Sequence, residues 1–423
     1  MDGGWDDRWQ TADDLNDFHW EAIVDEQNTV SRRRFVGGVA TAVGVLSFKP
    51  SIDLWAQQPQ QTQQPQGGAA RVRPSLDEYD SYAKLSFNEN PYGPPDSVMK
   101  AMTKAFRYAN RYGYPDGGIT EEIAKLHGVK TENILLGAGS GEILDVAGTT
   151  FCENGKKVIG VEPSYSQVYQ HATSVRGDAI TVPLLADYRQ DIPALIRATK
   201  KHYRDVGFIY LCNPNNPTGR IVTKSEVKQL LDGIPEDVPV LIDEAYHHFV
   251  DNSDYATSVP YVLEGRAVIV TRTFSKIAAL AGMRLGYAVA PRELIQKMRP
   301  YSMGSINAVV KWGGVAALQD TESQAKVKKV TIELRQQTIA YLKTLGYESI
   351  PSDTNFFMVH LKRPVQPVIA AFQKKGVLVG RPFPPMLEHL RVSIGNPDEM
   401  QRFNAAFKDV MGAASCGAGN GGR

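Results

Sequence analysis

Short apolar runs alternate with segments of helical spacing through the middle of the chain. The runs occupy residues 133–137, 157–161, 179–182, 207–212, 238–243, 267–270 and 285–288. They are continuous rather than alternately apolar and polar, which is typical of strands in a sheet that is covered on both faces. Between two of them, Thr223-Lys-Ser-Glu226 fits a capping box, which marks the start of a helix. The pattern therefore predicts a doubly wound α/β domain.

The pattern changes near residue 310. A long amphipathic helix is predicted over residues 324–345, and strands are predicted over 356–361, 377–379 and 390–394. A further helix is expected to end at Lys374-Lys375-Gly376, because cations and a glycine are typical of a helix C-terminus. These elements predict a second, smaller α+β domain. We assign residues 71–110 to an N-terminal segment joining the small domain, 111–305 to the large domain and 306–412 to the small domain.

The two ends of the chain differ from these domains. Residues 31–35, Ser-Arg-Arg-Arg-Phe, precede a mild apolar run that ends at Phe48, and they match the twin-arginine export pattern. The run is too short for a stable membrane span. A Gln/Pro tract at 57–66 is typical of a disordered linker, and residues 413–423 predict a disordered, glycine-rich tail. We therefore interpret residues 1–70 as the leader of a periplasmic or extracytoplasmic protein. The alternative is a merely basic N-terminus on a cytoplasmic protein.

The net charge and the cysteine content of the chain argue against some classes of function. The 423 residues carry a net charge of +1, with 42% hydrophobic and 22% charged residues, as expected of a globular enzyme rather than a nucleic-acid-binding protein. Three cysteines, Cys152, Cys212 and Cys416, match neither a disulfide framework nor a spaced metal pair. We therefore expect no nucleic-acid partner and no metal site.

Residues suited to ligand binding follow several predicted strands, at the sheet edge where α/β proteins bind ligands. The segment Gly137-Ala-Gly-Ser140-Gly141 stands between a strand and a helix predicted to start near Ile143. Glycines in such a turn let backbone N–H groups reach a phosphate. A dinucleotide site is the alternative, because Glu162 ends the next strand and could bind a ribose. The G-x-G-x-G spacing leaves both interpretations open.

Three polar residues come shortly after apolar runs or end them. Asn216 lies in a proline-rich turn, Asp243 ends one run, and Lys276 follows another. Separately, each has a structural explanation: a rigid turn, a buried ion pair, and a lysine whose stem packs on apolar surface. Together with the glycine-rich segment, they offer an amide, a carboxylate, an amine nucleophile and a phosphate cup. This combination suits pyridoxal phosphate (PLP).

Eight motifs in one order resemble those of the fold-type I PLP-dependent aminotransferases of class I/II, and among them the histidinol-phosphate aminotransferase-like group. The motifs extend over about residues 85–407 and are Asn88-Glu-Asn90-Pro-Tyr92-Gly, Tyr114-Pro115, Gly139-Ser-Gly-Glu142, Pro163-Ser-Tyr165, Asn216-Pro-Thr-Gly, Asp243-Glu-Ala-Tyr246, Ser275-Lys276 with Ala-Gly-Met-Arg284, and Leu390-Arg391-Val-Ser-Ile-Gly. Any one of them is a weak signal, whereas eight in the family's order are specific.

The resemblance implies a mostly parallel seven-stranded sheet with a smaller α+β domain, and a homodimer with shared active sites. It also implies a PLP-dependent transamination with a ping-pong mechanism. An amino acid, or an amine like histidinol phosphate, would donate its amino group, and a 2-oxo acid would accept it.

Roles for the residues around the cofactor ring also come from the resemblance. Lys276 would bind the cofactor's carbonyl carbon covalently and later carry a proton, which makes it the central catalytic residue. Asp243 would pair with the pyridine nitrogen and keep it protonated, since an adjacent anion raises that nitrogen's pKa. Tyr246 and Asn216 would hydrogen-bond the ring oxygen, and Tyr165 would stack on the ring.

A second group of residues is implied to hold the phosphate and the substrate. The phosphate ligands would be Ser140, Gly141, Thr273, Ser275 and Arg284, together with Tyr114 from the neighbouring subunit. Arg391 would clamp the substrate carboxylate through two N–H groups, with Asn355 supporting it and Tyr92 closing over the substrate. In place of the family's valine-arginine pair, Gly380 precedes Arg381 and an apolar loop follows. This departure puts recognition of a distal phosphate in doubt.

Other functions remain open. A lyase, a decarboxylase or a cyclase would use the same scaffold, and would differ in whether an amino donor converts the cofactor to pyridoxamine phosphate. A PLP-sensing regulator would need a DNA-binding domain, for which residues 1–70 lack a helix-turn-helix pattern and a basic balance. A nucleotide-binding oxidoreductase would leave Lys276, Asp243 and Arg391 without roles. The sequence identifies neither the amino donor nor the acceptor.

Overall fold

The computed structural model describes residues 75–412. The twin-arginine pattern, the Gln/Pro tract and the glycine-rich tail lie outside these residues. Within residues 75–412, no helix is long and apolar enough to cross a membrane.

Eleven strands and thirteen α-helices make up the described part of the chain. The strands are β1 (Ala83–Leu85), β2 (Ile134–Gly137), β3 (Lys157–Glu162), β4 (Asp178–Pro183), β5 (Val206–Cys212), β6 (Val240–Asp243), β7 (Val268–Thr273), β8 (Gly286–Val289), β9 (Phe356–His360), β10 (Val377–Val379) and β11 (His389–Ser393). The helices are α1 (Leu76–Ser81), α2 (Asp96–Ala105), α3 (Ile119–His127), α4 (Ser140–Cys152), α5 (Gln167–Ser174), α6 (Ile192–Lys201), α7 (Lys224–Gly233), α8 (Val259–Leu263), α9 (Arg292–Met298), α10 (Ala308–Gln319), α11 (Thr321–Thr344), α12 (Val365–Lys374) and α13 (Pro397–Gly412).

Seven of the strands form one sheet in the order β2-β8-β7-β6-β5-β3-β4. Strand β8 runs antiparallel to its neighbours β2 and β7, and the other neighbouring strands are parallel. The seven apolar runs of the sequence are these seven strands. The predicted α/β fold with a mostly parallel seven-stranded sheet is therefore confirmed. The capping box at the start of α7 is confirmed as well.

Helices cover both faces of this sheet, which explains why its strands are continuous apolar runs. In β5, Ile209 and Leu211 pack into one core, whereas Phe208 and Tyr210 pack into the core on the other face. Successive side chains of a strand point to opposite faces, so a strand buried on both sides has no position that favours a polar residue. The absence of alternation was thus the informative signal.

The remaining strands pair in two small sheets. Strands β9 and β11 are antiparallel, which places Arg391 opposite Met358, and β1 pairs with β10 in parallel. One apolar core joins these strands to α11, α12 and α13, with Phe357, Phe372 and Phe407 fully buried in it. The smaller α+β region is therefore as predicted. Strand β1 was not predicted, because three residues are too few to show a period.

Helix α10 lies within the segment 306–412 that the sequence assigned to the small domain. Its residues Val309 and Val310 pack in the same core as Val98 of α2 and Ile119 of α3. The helix therefore contributes to the core of the large sheet. The domain limits drawn from the sequence stay predictions.

Candidate active site

The strands β5, β6 and β7 are parallel neighbours whose carboxyl ends meet at one edge of the large sheet. Ten of the predicted site residues line one cavity of about 240 Å³ at this edge, namely Ser140, Gly141, Tyr165, Asn216, Asp243, Tyr246, Thr273, Ser275, Lys276 and Arg284. Parallel strands bring residues that are far apart in sequence to a common edge, which is where α/β proteins bind ligands.

Helix α4 begins at Ser140, and the prediction that it starts near Ile143 was wrong. The reason is Gly139, whose φ of 84° turns the chain directly from β2 into the helix. This left-handed conformation favours glycine. In the part of the chain that the structure describes, no side chain caps this helix end. Its first turn lies at the cavity, where free backbone N–H groups and the helix dipole favour a phosphate.

Two hydroxyl groups and one guanidinium complete this phosphate cup. Thr273 Oγ1 donates to Ser275 Oγ at 2.8 Å, and the Ser275 N–H donates to Thr273 Oγ1 at 3.1 Å. Arg284 donates to the backbone carbonyl of Ala138 at 3.1 Å. A side chain at Gly139 would collide with the Arg284 guanidinium. The close approach of Arg284 to the turn is therefore a second reason for this glycine.

Lys276 is half-buried, and its ammonium group is poorly compensated. Its Nζ donates to the Phe87 carbonyl at 3.2 Å and lies 5.5 Å from the ring centre of Tyr246. Burial, with a smaller contribution from the Arg391 cation, lowers the pKa of Lys276 to about 8. About a tenth of the amine is therefore uncharged at pH 7, far more than for an ordinary lysine, and a nucleophile or proton acceptor requires this form.

Asp243 ends β6 and is buried. Its Oδ1 accepts from the Ala245 N–H at 3.1 Å, and its Oδ2 accepts from the Tyr210 hydroxyl at 3.3 Å. Burial raises the pKa of Asp243 to about 6, against the opposing effects of these hydrogen bonds and of Lys276. Among the described residues, no cation lies within ion-pair distance of this carboxylate. A protonated ring nitrogen would supply the missing positive charge.

The Tyr246 hydroxyl receives two amide hydrogen bonds. Asn88 Nδ2 donates to it at 3.0 Å and Asn216 Nδ2 at 3.5 Å. Asn88 is buried and was missed as a site residue, although it opens one of the eight motifs. Tyr210, the partner of Asp243, was also missed, because a tyrosine within an apolar strand has the same pattern as a core residue.

Arg391 on β11 is buried at the small-domain side of the site. Its Nη1 donates to Asn216 Oδ1 at 2.8 Å and its Nη2 to the Ser86 carbonyl at 2.6 Å. Its Nε has no hydrogen-bond partner in the described structure. Burial lowers the pKa of Arg391 to about 10. The guanidinium thus has only uncharged hydrogen-bond partners.

Arg391 and Arg381 both lie close to the ring of Phe383. The guanidinium carbon of Arg391 is 4.6 Å from the centre of the Phe383 ring, and that of Arg381 is 4.4 Å from it. At Gly380, an added side chain would lie 2.8 Å from the Arg391 carbonyl oxygen. The departure Gly380-Arg381 therefore makes room for Arg391, while both arginines contact the same aromatic ring.

Besides Arg391, three predicted residues lie outside the cavity lining. Asn355 is buried and donates to the Asn88 carbonyl at 3.0 Å, while its Oδ1 has no partner among the described residues. Tyr92 is 46% exposed and lines a neighbouring groove. Tyr114 is 81% exposed. One chain therefore does not bring Tyr92 and Tyr114 to the cavity, and their roles stay predictions.

The residues at this edge fit PLP. A buried carboxylate without a cation suits the ring nitrogen, and the uncapped helix start with Arg284 suits the phosphate. Lys276, whose pKa is lowered, lines the same cavity. Glu162, the residue that suggested a dinucleotide, instead accepts a hydrogen bond from Thr181 at 3.2 Å. The geometry thus favours PLP over a dinucleotide.

Comparisons with known proteins agree with this chemistry. The family model of aminotransferase class I and II matches residues 80–407. A histidinol-phosphate aminotransferase from Moorella thermoacetica is 35% identical over 337 residues, which are 78% of this chain and 85% of the relative. One from Maricaulis maris is 32% identical over 369 residues, covering 83% of this chain and 99% of the relative.

Solved structures extend the comparison to the fold. A proposed histidinol-phosphate aminotransferase from Erwinia carotovora atroseptica superposes with a TM-score of 0.77 at 31% identity, over 79% of this chain and 97% of the other. The histidinol-phosphate aminotransferase from Sinorhizobium meliloti, solved with pyridoxal-5'-phosphate, has a TM-score of 0.74 at 23% identity, over 82% and 100%. The chain therefore belongs to the class I and II aminotransferases and is a PLP-dependent transaminase.

Proposed function

We propose that the 2-oxo acid acceptor of this transaminase binds with its carboxylate on Arg391. The observation that carries the proposal is the state of this guanidinium, which is buried, has uncharged hydrogen-bond partners and keeps a free Nε. A buried cation without a counter-charge is unfavourable by several kcal/mol, and a bound carboxylate offsets this cost. The planar guanidinium also matches a carboxylate in shape.

The donor in this proposal is an amine that carries a phosphate, as histidinol phosphate does. Two facts support it: the relatives from Moorella thermoacetica and Maricaulis maris are named histidinol-phosphate aminotransferases, and Arg381 contacts the same ring as Arg391. Arg381 is exposed, and among the described residues its Nη1 donates only to the neighbouring Pro382 carbonyl, at 2.9 Å. A distal phosphate would meet this second cation.

The residues of the chain divide the chemistry between them. Bound PLP supplies an electron-withdrawing ring that stabilises negative charge on the carbon bearing the amino group. Asp243 would hold the positive charge of the ring nitrogen, and Lys276 Nζ would take the proton from that carbon and deliver it to the cofactor carbon C4′. Asn216 donates to the Tyr246 hydroxyl and accepts from Arg391. Asn216 therefore sets the distance between Tyr246, which would bind the ring oxygen, and Arg391, which would bind the carboxylate.

The test measures the two half-reactions separately in wild type, Arg391→Ala, Arg391→Lys and Lys276→Ala. Donor alone should convert wild-type cofactor to pyridoxamine phosphate. Arg391→Ala should raise KM for 2-oxo acids about 30-fold or more, with Arg391→Lys between, because lysine keeps the charge but not the planar fork. Lys276→Ala should retain PLP but lose roughly 10²–10⁴-fold or more in turnover.

The outcomes separate the parts of the proposal. If no amine converts the wild-type cofactor, transamination fails as the reaction, and a lyase, decarboxylase or cyclase replaces it. If conversion occurs but KM for 2-oxo acids is the same in Arg391→Ala, only the clamp is wrong. A donor lacking a phosphate that is used as well as histidinol phosphate would refute the role of Arg381.

We also propose a homodimer in which Tyr114 reaches the phosphate cup of the partner subunit. Two observations support this arrangement: Tyr114 is exposed, and it is not among the residues that line the cavity of its own chain. Tyr114→Phe should weaken PLP retention by about 1.5–3 kcal/mol, because a hydrogen bond to a charged group is lost. Sedimentation and PLP release should change together on dilution. A monomer that retains PLP fully would contradict the proposal.

We further propose that the protein is exported by the twin-arginine route, on the basis of the motif at residues 31–35. Cell fractionation should find the wild type in the periplasm and an Arg32→Lys, Arg33→Lys variant in the cytoplasm. Equal cytoplasmic retention of both would leave the segment as a basic N-terminus only.

A further inference from the structure

We propose that Gln167 is a positioning residue that locks the ring of Tyr165 to the phosphate cup. The proposal rests on Tyr165 lying against the cofactor ring and is independent of which amine or 2-oxo acid is used. Gln167 begins helix α5 and lines the same cavity as Tyr165 and Gly141. No role for it follows from the sequence motifs.

The side-chain amide of Gln167 contacts three partners. Its Oε1 accepts from the Tyr165 hydroxyl at 2.9 Å, and its Nε2 donates to the Gly141 carbonyl and to Asp145 Oδ1, both at 3.0 Å. The opposite orientation of the amide would place Oε1 against two acceptors, the Gly141 carbonyl and Asp145 Oδ1. The network therefore allows only one orientation of the Gln167 amide. Tyr165 is therefore joined through one amide to the first turn of α4.

Gly141 permits this close approach. A side chain at position 141 would lie 3.0 Å from Gln167 Oε1 and 3.1 Å from Gln167 Nε2, which is tighter than ordinary packing. Glycine at this position thus leaves room for the amide of Gln167, which an added Cβ would force to shift by a few tenths of an ångström.

A second contact one turn further on keeps Gln167 in place. His171 follows Gln167 by one helical turn, and its Nδ1 lies 3.5 Å from Asp145 Oδ1. Its Nε2 is 2.7 Å from Thr149 Oγ1, one turn beyond Asp145 on α4. Residues four apart share a helix face. Helices α4 and α5 are therefore joined by side-chain contacts at two successive turns. The contacts of Gln167 are the ones nearest the phosphate cup.

The hydrogen bond between Tyr165 and Gln167 matters because Tyr165 stands at the open side of the cavity, with 37% of its surface exposed. A free aromatic ring in this position would have to be ordered when the cofactor binds. The hydrogen bond to Gln167 orders it beforehand, which lowers the entropic cost of binding. Methionine at 167 would keep the length of the side chain but none of the three polar contacts.

The experiment is a double-mutant cycle on the apo-protein with Gln167→Met, Tyr165→Phe and the double variant. The matched control is Gln170→Met, on the same helix. PLP affinity is measured by titration, and cofactor orientation by circular dichroism of the bound cofactor. Each single variant should weaken PLP binding about three- to tenfold and reduce the dichroism. The double variant should be no weaker than either single one, because both break the same connection.

Gln170→Met should match wild type. Unchanged PLP affinity and dichroism in Gln167→Met would overturn the proposal. A double variant whose loss equals the product of the single losses would also overturn it, because the two residues would then act independently. If the wild-type apo-protein binds no PLP, the cofactor site itself is wrong, which is a separate result.

Discussion

Two buried arginines, one in each region of the molecule, have opposite electrostatic surroundings. On β7 of the large sheet, Arg272 donates from Nε and Nη2 to Glu244 Oε2, at 3.1 and 2.8 Å. On β11, the acceptors of Arg391 within residues 75–412 are an amide and a backbone carbonyl only. Burial lowers the pKa of both groups, but the ion pair with Glu244 outweighs burial at Arg272 and raises its pKa. At Arg391 no such pair intervenes, and the pKa falls to about 10.

The difference indicates what each charge does. Glu244 directly follows Asp243, the proposed partner of the ring nitrogen, at the end of β6. Its ion pair with Arg272 therefore joins the end of β6 to β7, the strand that precedes Lys276. Glu244 also accepts from the Ser258 N–H at 2.6 Å. A charge paired within its own chain stabilises the frame of the site. A charge left unpaired is available to a ligand.

Breaking the pair should have the largest effect on stability. Arg272→Met leaves Glu244 buried without a cation and should lower the free energy of unfolding by about 3–5 kcal/mol. Urea unfolding of the apo-protein measures the loss. The double variant Arg272→Met, Glu244→Gln should recover part of it, since no buried charge remains. A double variant that loses the sum of both single losses would show that the two groups do not interact.

The buried carboxylate of Asp243 should make the stability of the protein depend on pH. Its pKa is raised from 3.8 to about 6 in the folded protein. A raised pKa contributes stability below the unfolded pKa, and the contribution is lost as pH rises through the folded pKa. Wild-type apo-protein should therefore lose roughly 3 kcal/mol between pH 4 and pH 7 relative to Asp243→Asn. Parallel pH curves for the two proteins would contradict the assigned burial.

The smallest stability effect should come from Arg391. Arg391→Met removes an unpaired buried cation, so the free energy of unfolding should change by less than about 1 kcal/mol or even rise. A 2-oxo acid should raise Tm of the wild type but not of this variant, because only the wild type binds the carboxylate. A loss comparable to that of Arg272→Met would mean that Arg391 is structural, and the contrast between the two arginines would disappear.

Much of the fold was predictable because the signals are local. Seven continuous apolar runs became the seven strands, since two-sided burial acts on every residue of a strand. The start of α4 was misplaced, because the left-handed turn at Gly139 has no signal in apolar periodicity. Strand β1 is stabilised by pairing with β10, which no window around residues 83–85 contains.

By itself, the sequence determined the strand order along the chain, the residues at the strand ends and the motifs of the family. Hydrophobic periodicity and backbone chemistry are properties of neighbouring residues, so they are visible in one dimension. Only the tertiary structure decided which polar groups meet: Asn88 with Tyr246, Tyr210 with Asp243, and Gln167 with Tyr165. It also decided that Arg272 is paired and Arg391 is not. Hydrogen bonds and ion pairs depend on distances in space, which arise only when separate strands and helices pack.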